Sequence, residues 1–394
     1  MGEAAPAVAL LRLALPLSLV AALAPEARAD TNWSMRVRTV GDYLLSQQTP
    51  HGCIPDVPGG SRANQDSAMQ YALVALAHAC RVTTRDRFRR GLRSGIEWLA
   101  AGMEKRQKPW VGSWRHAYST RPPYLALPTP PHADYDDGRG STTASALFAY
   151  LVYLYRHCTG DAPFVLKVRP HVRAALDFTL EHNLGNNDLF HNGWLRSRGT
   201  ARWQRDPMHD ATTQAAAYLG LRAGYRLLGH VRYSRAAERL AKTIDESFFD
   251  PRRGAFGLAR DSRGRLVPPD DSCRAYHVQG YLAWVFGIRR ETRDAIRWLK
   301  ARHAPDGTFR RKRSDTPYVL PAAAFCLGSA RLGLYASDRQ QARRWLRDYA
   351  LTPKGAVREA ATRNSPTPSH LTGWVVAACL GANAFPTEEP QLVP

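Results

Sequence analysis

Residues 133–157 read ADYDDGRGSTTASALFAYLVYLYRH. Three carboxylates, Asp134, Asp136 and Asp137, sit in a glycine-flanked turn, and a helix of apolar and small residues follows at once. A helix that is apolar all round is buried, so the stretch predicts an acidic loop that opens directly onto the interior. The same pattern recurs along the chain. It appears as DSAMQYALVALAHAC from Asp66, DATTQAAAYLGLRAGYRLL from Asp210, SCRAYHVQGYLAWVFG from Ser272, TPYVLPAAAFCLGSARLGLY from Thr316 and SHLTGWVVAACLGANAF from Ser369. Such repetition marks an array in which each unit buries a face against its neighbours.

Helices of a second kind alternate with these, for example IEWLAAGMEKRQKPWVGSW from Ile96, LDFTLEHNLGNNDLFHNGW from Leu176 and IRWLKARHAPDGTFRRKRSD from Ile296. They carry Arg, Lys and Glu on one face and end in a glycine-containing turn with an aromatic or aliphatic residue, which reads as a small hairpin. The alternation predicts an all-α (α/α)6 toroid over residues 30–385, six inner and six outer helices, with short β-hairpins in the outer-to-inner loops. Inner-to-outer connections are short, as in TGDAPF from Thr159. Outer-to-inner connections are long in the first four repeats. Because helix direction alternates, the long loops all emerge on one face, where a rigid scaffold usually carries its function. The Pro-rich run 121–137 reads as part of that cleft and not as a domain boundary.

Residues 1–29 hold an apolar run followed by Ala27-Arg28-Ala29, the pattern of a cleaved secretory leader. Residues 386–394 read as a loosely ordered tail. No later apolar run is long enough for a stable membrane span, so the mature protein is expected to be secreted or periplasmic. The 394 residues are 44% hydrophobic, enough for a large core, and the net charge is +21. On an exported chain that charge points to an anionic glycan and not to nucleic acid; an Arg-rich host composition is the plain alternative. Six cysteines without a C-x-x-C spacing argue against zinc and fit an oxidising compartment. Neither their pairing nor the oligomeric state is legible.

The inner-helix starts share acids: Asp66, Asp136 with Asp137, Asp210 beside His209, Asp270 with Asp271, and Asp315. Asp, Ser and Thr are also preferred helix N-caps, the plain reading of any one of them. Ser67 with Gln70 makes a capping box, and Ser141, Asp210, Ser272 and Thr316 (with Pro317 at the first helical position) are cap candidates. If Ser141 caps, Asp136 and Asp137 exceed what capping needs, and one of Asp270 and Asp271 is likewise surplus. Converging carboxylates suit glycoside hydrolysis, in which one protonated acid meets the leaving oxygen and a second carboxylate acts as base or nucleophile. Asp137 and Asp210 lead as catalytic candidates, followed by Asp136, Asp271 and Asp66; which is acid and which is base stays open. Trp110, Trp114, Tyr118, Trp194, Trp203 and Tyr276 offer flat apolar faces to a sugar, or else pack beneath the loops. Arg139, with Arg196, Arg198 and Arg202, suits a uronate or sulfate. His209 and His277 add imidazoles for binding or proton transfer.

On DDGRGSTTASALFAYLVYLYRHCTGD (136–161) and WQRDPMHDATTQAAAYLGLRAGYRLLG (203–229) the chain resembles the six-hairpin glycosidase superfamily of (α/α)6 toroids. The resemblance spans nearly the whole mature chain and is at superfamily level, so no catalytic pair transfers residue by residue. It implies acid/base chemistry on a polysaccharide or oligosaccharide, without a redox cofactor and usually without metal. Some polysaccharide lyases share the toroid and use His, Tyr and Arg; His191-Asn192 or Tyr276-His277 would serve that role. Asp134-Tyr-Asp-Asp137 also matches the D-x-D-D letters of class II terpene cyclases, although the T-A that follows in those enzymes is absent here. A non-catalytic glycan-binding toroid is the remaining alternative.

Overall fold

The structure is a computed structural model and describes residues 31–64, 68–127, 135–310, 316–360, 367–381 and 384–385. The expected leader and tail, Asp66, Ser67, Asp134 and Asp315 lie outside the described residues, as does the side chain of Asp136. Among the described residues no helix is long and apolar enough to cross a membrane.

Outer helices are α1 (Thr31–Gln47), α3 (Asp86–Gly102), α5 (Ala162–Phe178), α7 (Val231–Phe248), α9 (Arg290–Lys300) and α11 (Ala336–Trp345). Inner helices are α2 (Ala68–Thr83), α4 (Thr142–Thr159), α6 (Ala211–Leu228), α8 (Cys273–Phe286), α10 (Val319–Leu332) and α12 (Ser369–Leu380). Each inner helix packs on the next, and α12 packs on α2, so the ring closes. The all-α toroid is therefore the observed fold.

Sequence separates the two sets physically. On α9 the buried residues Thr292, Ala295, Ile296 and Leu299 fall at helical spacing on one face, and the charged residues take the rest. On α10 burial extends around the helix, from Val319 through Leu332. Small residues bring inner helices close. A Cβ added at Gly220 of α6 would lie 2.5 Å from the Ala146 backbone of α4. A turn glycine closes the ring on the outside. Gly355, at φ +90°, rests on the Thr39 carbonyl of α1, where a Cβ would sit at 2.4 Å. Buried glutamines tie turns to inner helices: Gln214 of α6 donates to and accepts from the main chain of Phe190, and Gln279 of α8 does the same for Phe256.

Short hairpins occur as expected, for example Phe249–Asp250 with Ala255–Phe256. Beyond them, strands from successive long loops pair with each other. Arg62–Asn64 pairs with Ala117–Ser119, which also pairs with Ala126–Leu127. Tyr135–Arg139 pairs with Trp194–Ser197, which pairs with Trp203–Arg205. His209–Asp210 pairs with Ala259–Arg260. Isolated hairpins are marginal and leave open edges; pairing between loops stitches the first four into one band around the cleft.

One expectation about a helix start needs correcting. Helix α10 begins at Val319, and Tyr318 takes the N-cap position without a side-chain bond. Pro317 instead bridges to Arg310, so Thr316 is not the cap. Gln70 donates to the Ala144 carbonyl of the neighbouring inner helix α4 at 2.9 Å; Ser67, its partner in the expected capping box, lies outside the described residues.

Candidate functional site

The entrance to α4 is built on the strand Tyr135–Arg139. Its register against Trp194–Ser197 shifts between Tyr135 and Asp137, and such bulges re-aim side chains. Ser141 caps α4 through the Ala144 N–H at 3.3 Å, so the acids before it are free of that task, as the sequence suggested. Asp137 is 1% exposed. It accepts from the Arg115 guanidinium and from the Gly138 N–H at 2.8 Å.

Arg139 is buried beside it and donates to Gln107 Oε1 at 3.2 Å. Its guanidinium lies 4.2 Å from the centre of the Trp110 ring, and Glu104 is 3.7 Å away. Burial, then the neighbouring Arg115, pulls the Arg139 pKa down to about 10. Trp110 meets Trp194 and Trp203 edge-on, with ring centres 5.1 and 5.5 Å apart. Arg115 covers Trp203 at 5.5 Å and Arg205 covers Trp194 at 5.4 Å. Three of the loop tryptophans thus form one cation-and-aromatic cluster, in which Trp194 and Trp203 stay partly exposed.

The entrance to α6 has a different character. Asp210 occupies the N-cap position, but its side chain makes no capping bond. Its carboxylate is 25% exposed and ion-paired with Arg274 of α8 at 2.5 Å. Burial raises its pKa in spite of Arg274, and Asp206 adds to the rise. Asn192 joins the two acids, donating to Asp206 Oδ2 at 3.0 Å and accepting from the Asp210 N–H at 3.1 Å. His191 and His209 lie ring to ring, 4.4 Å apart. His191 Nδ1 faces the Asp206 carbonyl at 2.8 Å and His209 Nδ1 faces the Phe190 carbonyl at 3.1 Å. A carbonyl only accepts, so both Nδ1 atoms carry hydrogen, and in the neutral rings the Nε2 atoms hold the lone pairs. Burial lowers the His191 pKa, which favours the neutral ring. The Thr143 and Thr213 hydroxyls, 3.4 Å apart, link the first turns of α4 and α6.

Other sequence candidates take structural positions. Trp114 is 2% exposed and spends its indole N–H on the Leu99 carbonyl at 2.8 Å. The Tyr118 hydroxyl donates to the Gly102 carbonyl at 3.0 Å. Tyr276 is buried against Trp298 and Phe309. These three rings support the loops; Trp114 and Tyr276 are buried, and Tyr118 stays partly exposed. His277 stacks on Tyr281 and meets Trp374 edge-on, inside the ring of inner helices. Asp271 is held by Arg302 at 2.9 Å, and that guanidinium lies over Trp298; Ser272 caps α8, so Asp271 is surplus to capping but engaged elsewhere. Arg115, Arg274 and Asp206 were not singled out in the sequence. Arg274 had a signal, a cation in the first turn of an otherwise apolar helix; Arg115 had none.

No family model matches the chain, and no curated protein matches it in sequence. Solved structures do match its fold. A D-mannose isomerase aligns over 91% of this chain and 98% of its own, with a TM-score of 0.67 and 10% identity. A cellobiose 2-epimerase from Bacillus thermoamylovorans aligns over 86% of this chain and 94% of its own, with a TM-score of 0.66 and 10% identity. An α-1,6-mannanase of a Salegentibacter species aligns over 89% and 99%, with a TM-score of 0.55 and 10% identity. That mannanase structure is an inactive variant with two adjacent aspartates changed to asparagine, in complex with α-1,6-mannotriose. At this identity the likeness establishes the fold alone, an (α/α)6 toroid.

Proposed function

We propose that this protein is an exported carbohydrate-active enzyme and, within that class, a glycoside hydrolase acting on an oligosaccharide or polysaccharide, with an anionic one favoured by its charge. The observation that carries this reading is the pair of acidic entrances on neighbouring inner helices. Asp210 has its pKa raised by burial and does no capping work, which suits a proton donor to the leaving oxygen. The adjacent Asp136-Asp137 supplies the partner carboxylate. Asp137 accepts from Arg115 and the Gly138 N–H, which fixes its carboxylate on the bulged strand. The mannanase with paired aspartates replaced supports looking to adjacent acids for activity. Trp194 and Trp203 offer the partly exposed rings for pyranose faces, and Arg115, Arg139 and Arg205 around them suit a uronate carboxylate.

Incubation with a panel of neutral and uronate glycans tests this. New reducing ends without an unsaturated product are expected, and their loss in Asp210→Asn. No cleavage of any glycan, with binding retained, would instead favour a non-catalytic glycan receptor.

The histidine pair favours a second reading, proton abstraction from a sugar carbon, as an epimerase, isomerase or lyase requires. Two imidazoles, each oriented through Nδ1, are placed as bases. Solvent deuterium incorporated into a recovered sugar, or an unsaturated product, with loss in His191→Asn, would decide for it.

A further inference from the structure

Six cysteines are present as thiols, and two of them are neighbours on a part of the ring that the proposed chemistry does not use. Cys80 lies in the last turn of α2 and Cys158 in the last turn of α4. These inner helices pack side by side, and the two thiols are hydrogen-bonded to each other. Both sit at inner-helix C-terminal ends, on the face opposite the long loops. Of the remaining four, Cys326 and Cys379 also adjoin each other on packed inner helices, but both are fully buried and out of reach of an oxidant. Cys53 is buried and its thiol is pushed up to about 12. Cys326 and Cys379 are buried on α10 and α12; Cys326 Sγ faces the Arg339 carbonyl at 3.7 Å. Cys273 lies at the start of α8 on the cleft side.

We propose that Cys80 and Cys158 form a disulfide that ties α2 to α4 on the face opposite the cleft. The reaction is exchange with a disulfide-bearing oxidant, such as oxidised glutathione or a dithiol oxidase. Cys158 is partly exposed and Cys80 buried, so Cys158 is the sulfur the oxidant reaches. Its thiolate attacks the oxidant's S–S bond, releases one thiol and forms a mixed disulfide. Cys80 then attacks Cys158 Sγ as thiolate, forming the internal S–S bond and expelling the second oxidant thiol. The protein pair loses two electrons and two protons, and the oxidant disulfide is reduced to two thiols. The contact with Cys158 lowers the Cys80 pKa, whereas the same contact and burial raise the Cys158 pKa well above the usual thiol range, so the first attack is the slow step and Cys80 supplies the readier thiolate for ring closure. The bond closes a long loop that includes α3 and the strands Ala117–Ser119, Ala126–Leu127 and Tyr135–Arg139, which constrains the unfolded chain strongly. This inference is independent of the sugar chemistry.

The test uses the intact chain, equilibrated in glutathione buffers from reducing to oxidising, then trapped by alkylation and mapped by mass spectrometry without reduction. Expected are a fall from six to four free thiols, one cross-linked pair of peptides containing Cys80 and Cys158, and a higher melting temperature for the oxidised than the reduced form of the same chain. Six thiols retained in oxidising buffer, a stable glutathione adduct on Cys158, or any other pairing overturns the proposal. Cys158→Ser, read for thiol count alone, is expected to hold all five remaining thiols under oxidation; a new disulfide in it overturns the assigned pairing.

Discussion

The entrances to α4 and α6 follow one sequence formula, an acid before a small-residue helix, yet they are opposite in character. At α4 a serine caps the helix and Asp137 is sealed beneath a strand, ion-paired with Arg115. At α6 nothing caps, and a quarter-exposed Asp210 keeps a raised pKa against the pull of Arg274. The repeat thus supplies the same position twice, and the surroundings give the two carboxylates different partners and exposure. A toroid achieves this without moving its helices, because loops from different repeats pair over the entrances. The acid–base separation that glycoside hydrolysis needs is the kind of difference such divergence produces.

The comparison breaks first at Asp210. Asp210→Asn is expected to lower kcat about a thousandfold, with the helical circular dichroism spectrum unchanged. Full activity in that variant would remove α6 from the chemistry. At the α4 entrance the largest effect should fall on stability. Trp114→Ala deletes a buried ring and the N–H bond to Leu99, and is expected to cost about 3–5 kcal/mol, read as a fall in the denaturant midpoint. Trp203→Ala, on a partly exposed ring, should weaken oligosaccharide binding with a smaller loss of stability. Arg115→Met comes next. It removes the guanidinium paired with the buried Asp137 carboxylate, and about 3 kcal/mol of stability should be lost; a restored midpoint in Arg115→Met/Asp137→Asn would identify the lost ion pair as the cause.

The ring itself was legible because burial around a whole helix leaves an unmistakable composition. Small residues such as Gly220 stand where backbones meet, and charged faces mark the outer set. The acids were legible as residues but not as roles. A tryptophan in a long loop reads the same whether it faces a sugar or, like Trp114, turns its N–H to a carbonyl beneath. The partners that decide each role are remote in sequence: Arg115 lies 22 residues from Asp137, and Arg274 lies 64 from Asp210. Strand pairing between loops brings the first together, and ring packing the second. Neither leaves a local pattern, and the three glutamines at equivalent places in α2, α6 and α8 split between two jobs, Gln214 and Gln279 holding turns while Gln70 spans to α4.

Arg274 offers the smallest and sharpest test. Its pair with Asp210 is half-exposed on the arginine side, so Arg274→Met should change stability by less than about 1 kcal/mol. Its effect on the pH profile has a definite sign. A proton donor works only while protonated, so activity falls as pH rises through the Asp210 pKa. Arg274 lowers that pKa, and removing the cation lets burial and Asp206 raise it further. The alkaline limb of kcat should therefore move to higher pH in Arg274→Met, while the acid limb, set by the partner carboxylate at the α4 entrance, stays in place. Movement of the acid limb instead would assign Asp210 the base role and exchange the parts of the two entrances.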